Sequence, residues 1–245
     1  MLQKFIYIWG KILNLIKSFF IADKSYKKDV LNYVKVDAYI ALIYYVFFMI
    51  MYYFMGRVYA ERQIYLGVWI NIILAVICLI IIKVRKQKLS SVGFTMYKLK
   101  KSLILGSVLG VMLFITSSIL PNLLAGNRMI GVKEFLYNIF YYFIIIGLVE
   151  ELIFRGYIQT RMYGLISKRT PAISITAVLF MLMHIPFQMG NSNMGLLEFI
   201  ANNAIWLLIT AVWHVVFDFL YRKYNNILAG TIFHGFMNFG NSLFR

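Results

Sequence analysis

Apolar blocks recur along this 245-residue chain, each about 18–20 residues long. At 1.5 Å per helical residue such a block crosses a hydrocarbon core roughly 30 Å thick. That length excludes most folds. A segment in lipid must satisfy its own backbone hydrogen bonds, which only helices and closed barrels do. A barrel would show short segments of alternating polarity, and none is visible. The fold expected is an all-α polytopic membrane protein. Composition agrees, because only 14% of residues are charged and 62% are hydrophobic, with a mean hydropathy of +0.76. A soluble domain carries about 25% charged residues.

About seven transmembrane helices are expected, at Val36–Met55, Ile64–Ile82, Ser102–Leu120, Phe135–Phe154, Pro171–Met189, Leu197–Phe217 and Ile227–Phe244. Pro121 and Pro171 should mark an end and a beginning, since proline cannot continue a helical hydrogen-bond ladder. Residues 1–22 carry Lys4, Lys11 and Lys17, which interrupt any signal-peptide core. Ile6, Trp9, Leu13, Ile16 and Phe20 recur at three- and four-residue steps. An N-terminal amphipathic interfacial helix fits that pattern; a first span shielded by neighbours is the alternative. The whole chain, 1–245, is read as one membrane domain. Residues 36–82 form two peripheral spans, and 102–244 form a five-span block that holds the chemistry.

The formal charge of +16 raises the possibility of nucleic acid, and its distribution argues against it. Of the 25 Lys and Arg, 20 fall in the alternate segments 1–35, 83–101, 155–169 and 218–226. The positive-inside rule then places the N-terminus in the cytoplasm and the C-terminus outside a cell membrane. The lone cysteine, Cys78, has no partner for an internal disulfide and should pack as a small hydrophobe.

Polar residues inside such a chain are costly and seldom face lipid. The chain has nine acidic residues, and two of them, Glu150 and Glu151, are adjacent in "LVEELIFRGY" after an apolar run. On a helix they point about 100° apart, so they should not aim at one spot. Arg155 is four residues from Glu151, the favourable spacing for an ion pair, which leaves Glu150 facing the bundle. Alone, the three charges could simply cap the end of a span. Phe180 with His184, and His234 with Asn238, share helix faces at the same spacing. Together with Glu150 they describe a shared polar cavity. His214 and Asp218 are a rival pair, read as structural. One or two Glu and two His could also bind zinc, with Glu150, His184 and His234 as ligands. The H-E-x-x-H helix is absent, and a carboxylate–water mechanism needs no cofactor.

The motifs "EELIFR", "FMLMH" and "HGFMN" fit E-E-x-x-x-R, F-x-x-x-H and H-x-x-x-N, in that order. They resemble the CPBP family of CAAX-processing and bacteriocin-processing intramembrane proteases, also called the ABI family, over roughly residues 90–245. The resemblance implies an intramembrane endopeptidase in which Glu150 activates a water and His184 holds it. His234 and Asn238 would stabilise the oxyanion, while Glu151, Arg155 and Phe180 support the site. Its partners would be the lipid bilayer and a membrane-associated peptide or small protein, with no nucleic acid. Few prolines and abundant Lys, Ile, Tyr and Asn point to a low-GC Gram-positive bacterium, where a pheromone or bacteriocin precursor is the expected substrate. The rival function is a non-catalytic self-immunity or sensor-regulating protein of the same fold. A proton-coupled transporter would show an internal repeat, which is not found. For His184 and His234 to reach Glu150, the fourth helix must continue well past Arg155, to about Ile166, or the helices must tilt; one long fourth helix and a cavity open on the cytoplasmic side are expected.

Overall fold

A computed structural model describes residues 9, 11, 20–192 and 194–244. The interfacial helix expected over residues 1–22 lies almost wholly outside the described residues. The described chain is helical, and its one β-bridge pairs Met129 with Phe244. A short helix α1 (Lys24–Val30) precedes two long ones, α2 (Lys35–Arg62) and α3 (Gly67–Val84). Two more follow, α4 (Leu99–Leu124) and α5 (Val132–Met162). Then come α6 (Arg169–Leu182), α7 (Ile185–Ser192), α8 (Leu196–Tyr224) and α9 (Leu228–Gly240).

Among the described residues, six stretches are long and apolar enough to cross a membrane: α2, α3, α4, α5, α6 with α7, and α8. The seventh expected span forms a helix of 13 residues. At 1.5 Å per residue that is about 20 Å, short of a full crossing. Small residues let α9 wedge between longer helices instead. A methyl at Gly106 would meet the Ala229 carbonyl oxygen at 2.6 Å, and one at Gly147 would meet that of Thr231 at 3.0 Å. These contacts set α9 parallel to α4 and against α5, and the Ser118 hydroxyl donates to the Gly240 carbonyl at 2.6 Å.

Pro121 does not end α4, which continues to Leu124. Proline deprives the Ser117 carbonyl of its helical donor and crowds it. The turn from Ile115 to Ile119, just before the proline, widens to π-helical geometry. There the Thr116 and Ser117 hydroxyls donate back to Met112 at 2.9 Å and Leu113 at 2.7 Å. The chain absorbs the proline by widening one turn.

Polar loops gather at the two ends of the bundle. At one end Arg85 pairs with Asp37 at 3.0 Å, Arg161 donates to the Ser91 carbonyl at 3.0 Å and Asn226 to that of Thr95 at 2.9 Å. This end carries the loops in which Lys and Arg concentrate, and is called the basic face below. At the opposite face the Tyr65 and Tyr141 hydroxyls meet at 2.6 Å, and the Ile130 amide donates to Leu243 at 3.0 Å. Successive loops alternate between the two faces, as the charge pattern requires.

At the basic face, Asp23 anchors α1. Its carboxylate takes the amide and hydroxyl of Ser25 at 2.8 and 2.7 Å and pairs with Lys98. Burial pushes this carboxyl up, but Lys98 and Ser25 outweigh burial and hold it below its ordinary value. A depressed acid stabilises the fold above its unfolded value of about 3.9 and loses that contribution as pH falls through the folded value. Amides of α1 should therefore lose protection between pH 7 and pH 3 in hydrogen exchange corrected for intrinsic rate. Asp23→Asn should show part of that loss already at pH 7. Equal protection in all three samples would refute the anchor.

Candidate active site

The acidic motif sits deep in α5, which runs seven residues past Arg155 and ends at Met162, four short of Ile166. The helix is π-wound at Tyr141–Leu148 and again at Glu151–Gln159. Glu150 lies between the two wide segments, the kind of position where π-turns re-aim functional side chains. Glu150 is 7% exposed, while Glu151 and Arg155 are fully buried.

Arg155 Nη1 lies 3.1 Å from Glu151 Oε1, the expected ion pair. Its guanidinium also packs against two rings, with the Phe180 ring centroid at 4.0 Å and that of Phe217 at 4.5 Å. Desolvated cation–π contacts of this kind hold a charge where water cannot. Phe180 thereby acts twice, because its carbonyl accepts from His184 Nδ1 at 2.9 Å. A carbonyl only accepts, so His184 carries its proton on Nδ1 and leaves Nε2 as an acceptor.

His234 comes from α9 and sits between the two acids. Its Nδ1 is 3.2 Å from Glu151 Oε1, and its Nε2 is 3.8 Å from Glu150 Oε2. The expectation that the acids cannot address one group is therefore corrected. They diverge as a helix requires, yet each meets a different nitrogen of the same ring. That ring stacks on Phe217 at 4.5 Å, and a side chain at Gly230 would collide with Glu151. Glycine one turn before His234 is what lets the carboxylate lie against α9.

Glu150, His184, His234 and Asn238 line a single cavity of about 450 Å³. His184 enters it from the break between α6 and α7, with its ring edge-on to Trp206 at 5.4 Å. Glu150 Oε2 has no hydrogen-bond partner among the described residues. The cavity does not lead toward the basic loops, contrary to expectation. Its remaining polar lining, Ser117, Thr210, Asn238 and Asn241, runs along α4, α8 and α9 toward the opposite face. The basic side is filled by Arg155 and by a second buried polar cluster.

That cluster contains the rival pair. His214 Nε2 meets Gln159 Oε1 at 2.7 Å, and Gln159 donates its amide to Asp218. Asp218 also takes Arg222 Nε at 2.7 Å. His214 and Asp218 thus meet through Gln159. Gln159 was not singled out in the sequence, although Glu151, Arg155 and Gln159 form a stripe at four-residue steps. Asn241, three residues beyond Asn238, extends the His234 face in the same way.

Among the described residues no three His, Cys, Asp or Glu side chains are grouped to hold a metal ion. Glu150, His184 and His234 share the cavity without forming a ligand cluster.

Residues 132–240 match a family described as type II CAAX prenyl endopeptidase Rce1-like. This region of the chain is Rce1-like. The Rce1-like region runs from the start of α5 to the end of α9 and contains all three motifs. The match supports an intramembrane protease at the level of the family and a multi-pass membrane protein. No curated protein and no solved structure matches the chain.

Proposed function

We propose that this protein is an intramembrane endopeptidase that hydrolyses one peptide bond of a membrane-associated peptide with a water activated by Glu150. One observation carries the reading: an almost buried carboxylate, unpaired at Oε2, faces a cavity that it shares with His184, His234 and Asn238. Glu150 Oε2 and His234 Nε2 are too far apart for a direct bond, so a water can donate to the acid while His184 Nε2 accepts its second proton.

The water oxygen attacks the peptide carbonyl carbon and its proton passes to Glu150. The carbonyl oxygen becomes an oxyanion, which the Asn238 amide is placed to receive. His234, tethered through Nδ1 to Glu151, offers a second donor when its Nε2 carries a proton. When the C–N bond breaks, Glu150 returns the proton to the leaving amine. Glu151 and Arg155 hold His234 in register, and Phe180 positions both Arg155 and His184.

With the basic face in the cytoplasm, the substrate favoured is a secreted peptide precursor at that membrane. Comparing membrane peptides from cells carrying the wild type and Asn238→Ala tests this reading. Loss of one oxyanion donor lowers kcat by about 10²–10³-fold, so a precursor should accumulate uncut in the variant. Identical peptide profiles would overturn it.

A further inference from the structure

We propose that the water consumed at Glu150 arrives from the face opposite the basic loops, through a wet passage lined by Thr210, Ser117 and Asn241. The proposal rests on the protease reading for its purpose, and its test does not depend on activity.

The basic side of the site is closed by packed side chains. Arg155, Gln159, His214, Phe217 and Asp218 are all fully buried, and Arg222 is 8% exposed. They fill the space between α5 and α8 from the ion pair with Glu151 down to the last turn of α8, which carries Arg222. Gly156 closes on the Val92 carbonyl so tightly that a methyl there would lie 2.7 Å from it. No lining residue of the cavity lies below this layer.

The other direction is polar. Asn238 follows His234 by one turn of α9, and Asn241 follows Asn238. Neither amide side chain makes a hydrogen bond among the described residues, although both line the cavity and neither is buried. An amide left unpaired in hydrocarbon is strongly disfavoured, so a wall carrying two of them is stable when wet. Across from them, the Ser117 and Thr210 hydroxyls donate within their own helices to Leu113 and Trp206. That leaves both oxygens with lone pairs for water. These four residues continue the polar surface from Glu150 to Asn241, beside the bridge between Met129 and Phe244 at the opposite face.

The adjoining groove differs in chemistry. Leu109, Met112, Val216, Phe219 and Phe233 make its lining mostly apolar, with Thr116 and Arg222 as its polar members. Lipid suits that groove, and the water passage is separated from it by Leu113, which both share.

Thr210 decides the matter. It lies 14 residues from either end of α8, about 21 Å at 1.5 Å per residue, so simple proximity favours neither face. Single cysteines at Thr210 and Ser117 would be introduced after Cys78→Ala, with Lys88→Cys marking the basic face and Ser192→Cys the opposite one. A membrane-impermeant methanethiosulfonate ammonium reagent is then applied to sealed vesicles of each orientation. Positions 210 and 117 should react from the side that labels 192, at least tenfold faster than from the side that labels 88. Faster reaction from the side of 88 would overturn the route. Failure to react from either side would show a dry cavity and overturn it equally. If Thr210→Cys does not accumulate, Asn241→Leu with Ser117→Cys gives a second reading, since blocking the passage mouth should slow labelling at 117 tenfold.

Discussion

Glu150→Gln should abolish peptide cleavage while the protein still accumulates in the membrane. The substitution keeps size and shape and removes the proton acceptor. General acid–base groups contribute about 10²–10⁴-fold, and this residue is asked both to take the water's proton and to return it. Stability should change little, because Glu150 Oε2 has no hydrogen-bond partner to lose. Cleavage of a precursor in proteoliposomes, read alongside the amount of folded protein, checks both halves. Wild-type turnover by the variant would remove Glu150 from the reaction.

Glu151→Gln should do the opposite and strike the fold first. Glu151 is fully buried, paired with Arg155 and bonded to His234. Without its charge, Arg155 remains buried against two phenyl rings with no partner acid of its own. Breaking a buried ion pair on one side costs about 3–5 kcal/mol, a large part of the 5–15 kcal/mol that a typical protein has. The variant should unfold at lower temperature or denaturant concentration and lose activity with its fold. Arg155→Leu together with Glu151→Leu should recover part of the stability, since replacing both partners leaves no orphan charge, but not activity, since His234 loses its tether. Full activity of the double variant would show that Glu151 only balances Arg155.

Much of this was legible in the sequence because lipid makes polarity conspicuous. Glu150, Glu151, Arg155, His184, His234 and Asn238 stood out against apolar neighbours, and their spacing alone placed Glu151 on Arg155. The lengths of the apolar blocks gave the helices, and charge gave the alternation of loops. Three features escaped. The convergence of both acids on His234 depends on the ring's having two nitrogens and on Gly230 opening the way, neither visible in helical angles. Gln159 carries no signal of its own, because only tertiary packing brings His214 and Asp218 of α8 to it. The direction of the cavity depends on which side is filled, and packing of Phe217 and Arg155 is a tertiary fact with no signature in residue spacing. The match over residues 132–240 contains the three motifs and leaves α1–α4 outside it, although α4 provides Leu113 and Ser117 to the cavity wall.

The shortness of α9 bears on how the protein is made. A helix of 13 residues that carries His234 and Asn238 is a poor candidate for independent entry into a bilayer, where about 20 apolar residues are the usual requirement. Its place between α4 and α5 exists only after those helices have assembled. The first two motifs can therefore reach the membrane before the third has docked. On the proposed mechanism, a chain in that state holds Glu150 and His184 without His234 and Asn238, and should not cleave.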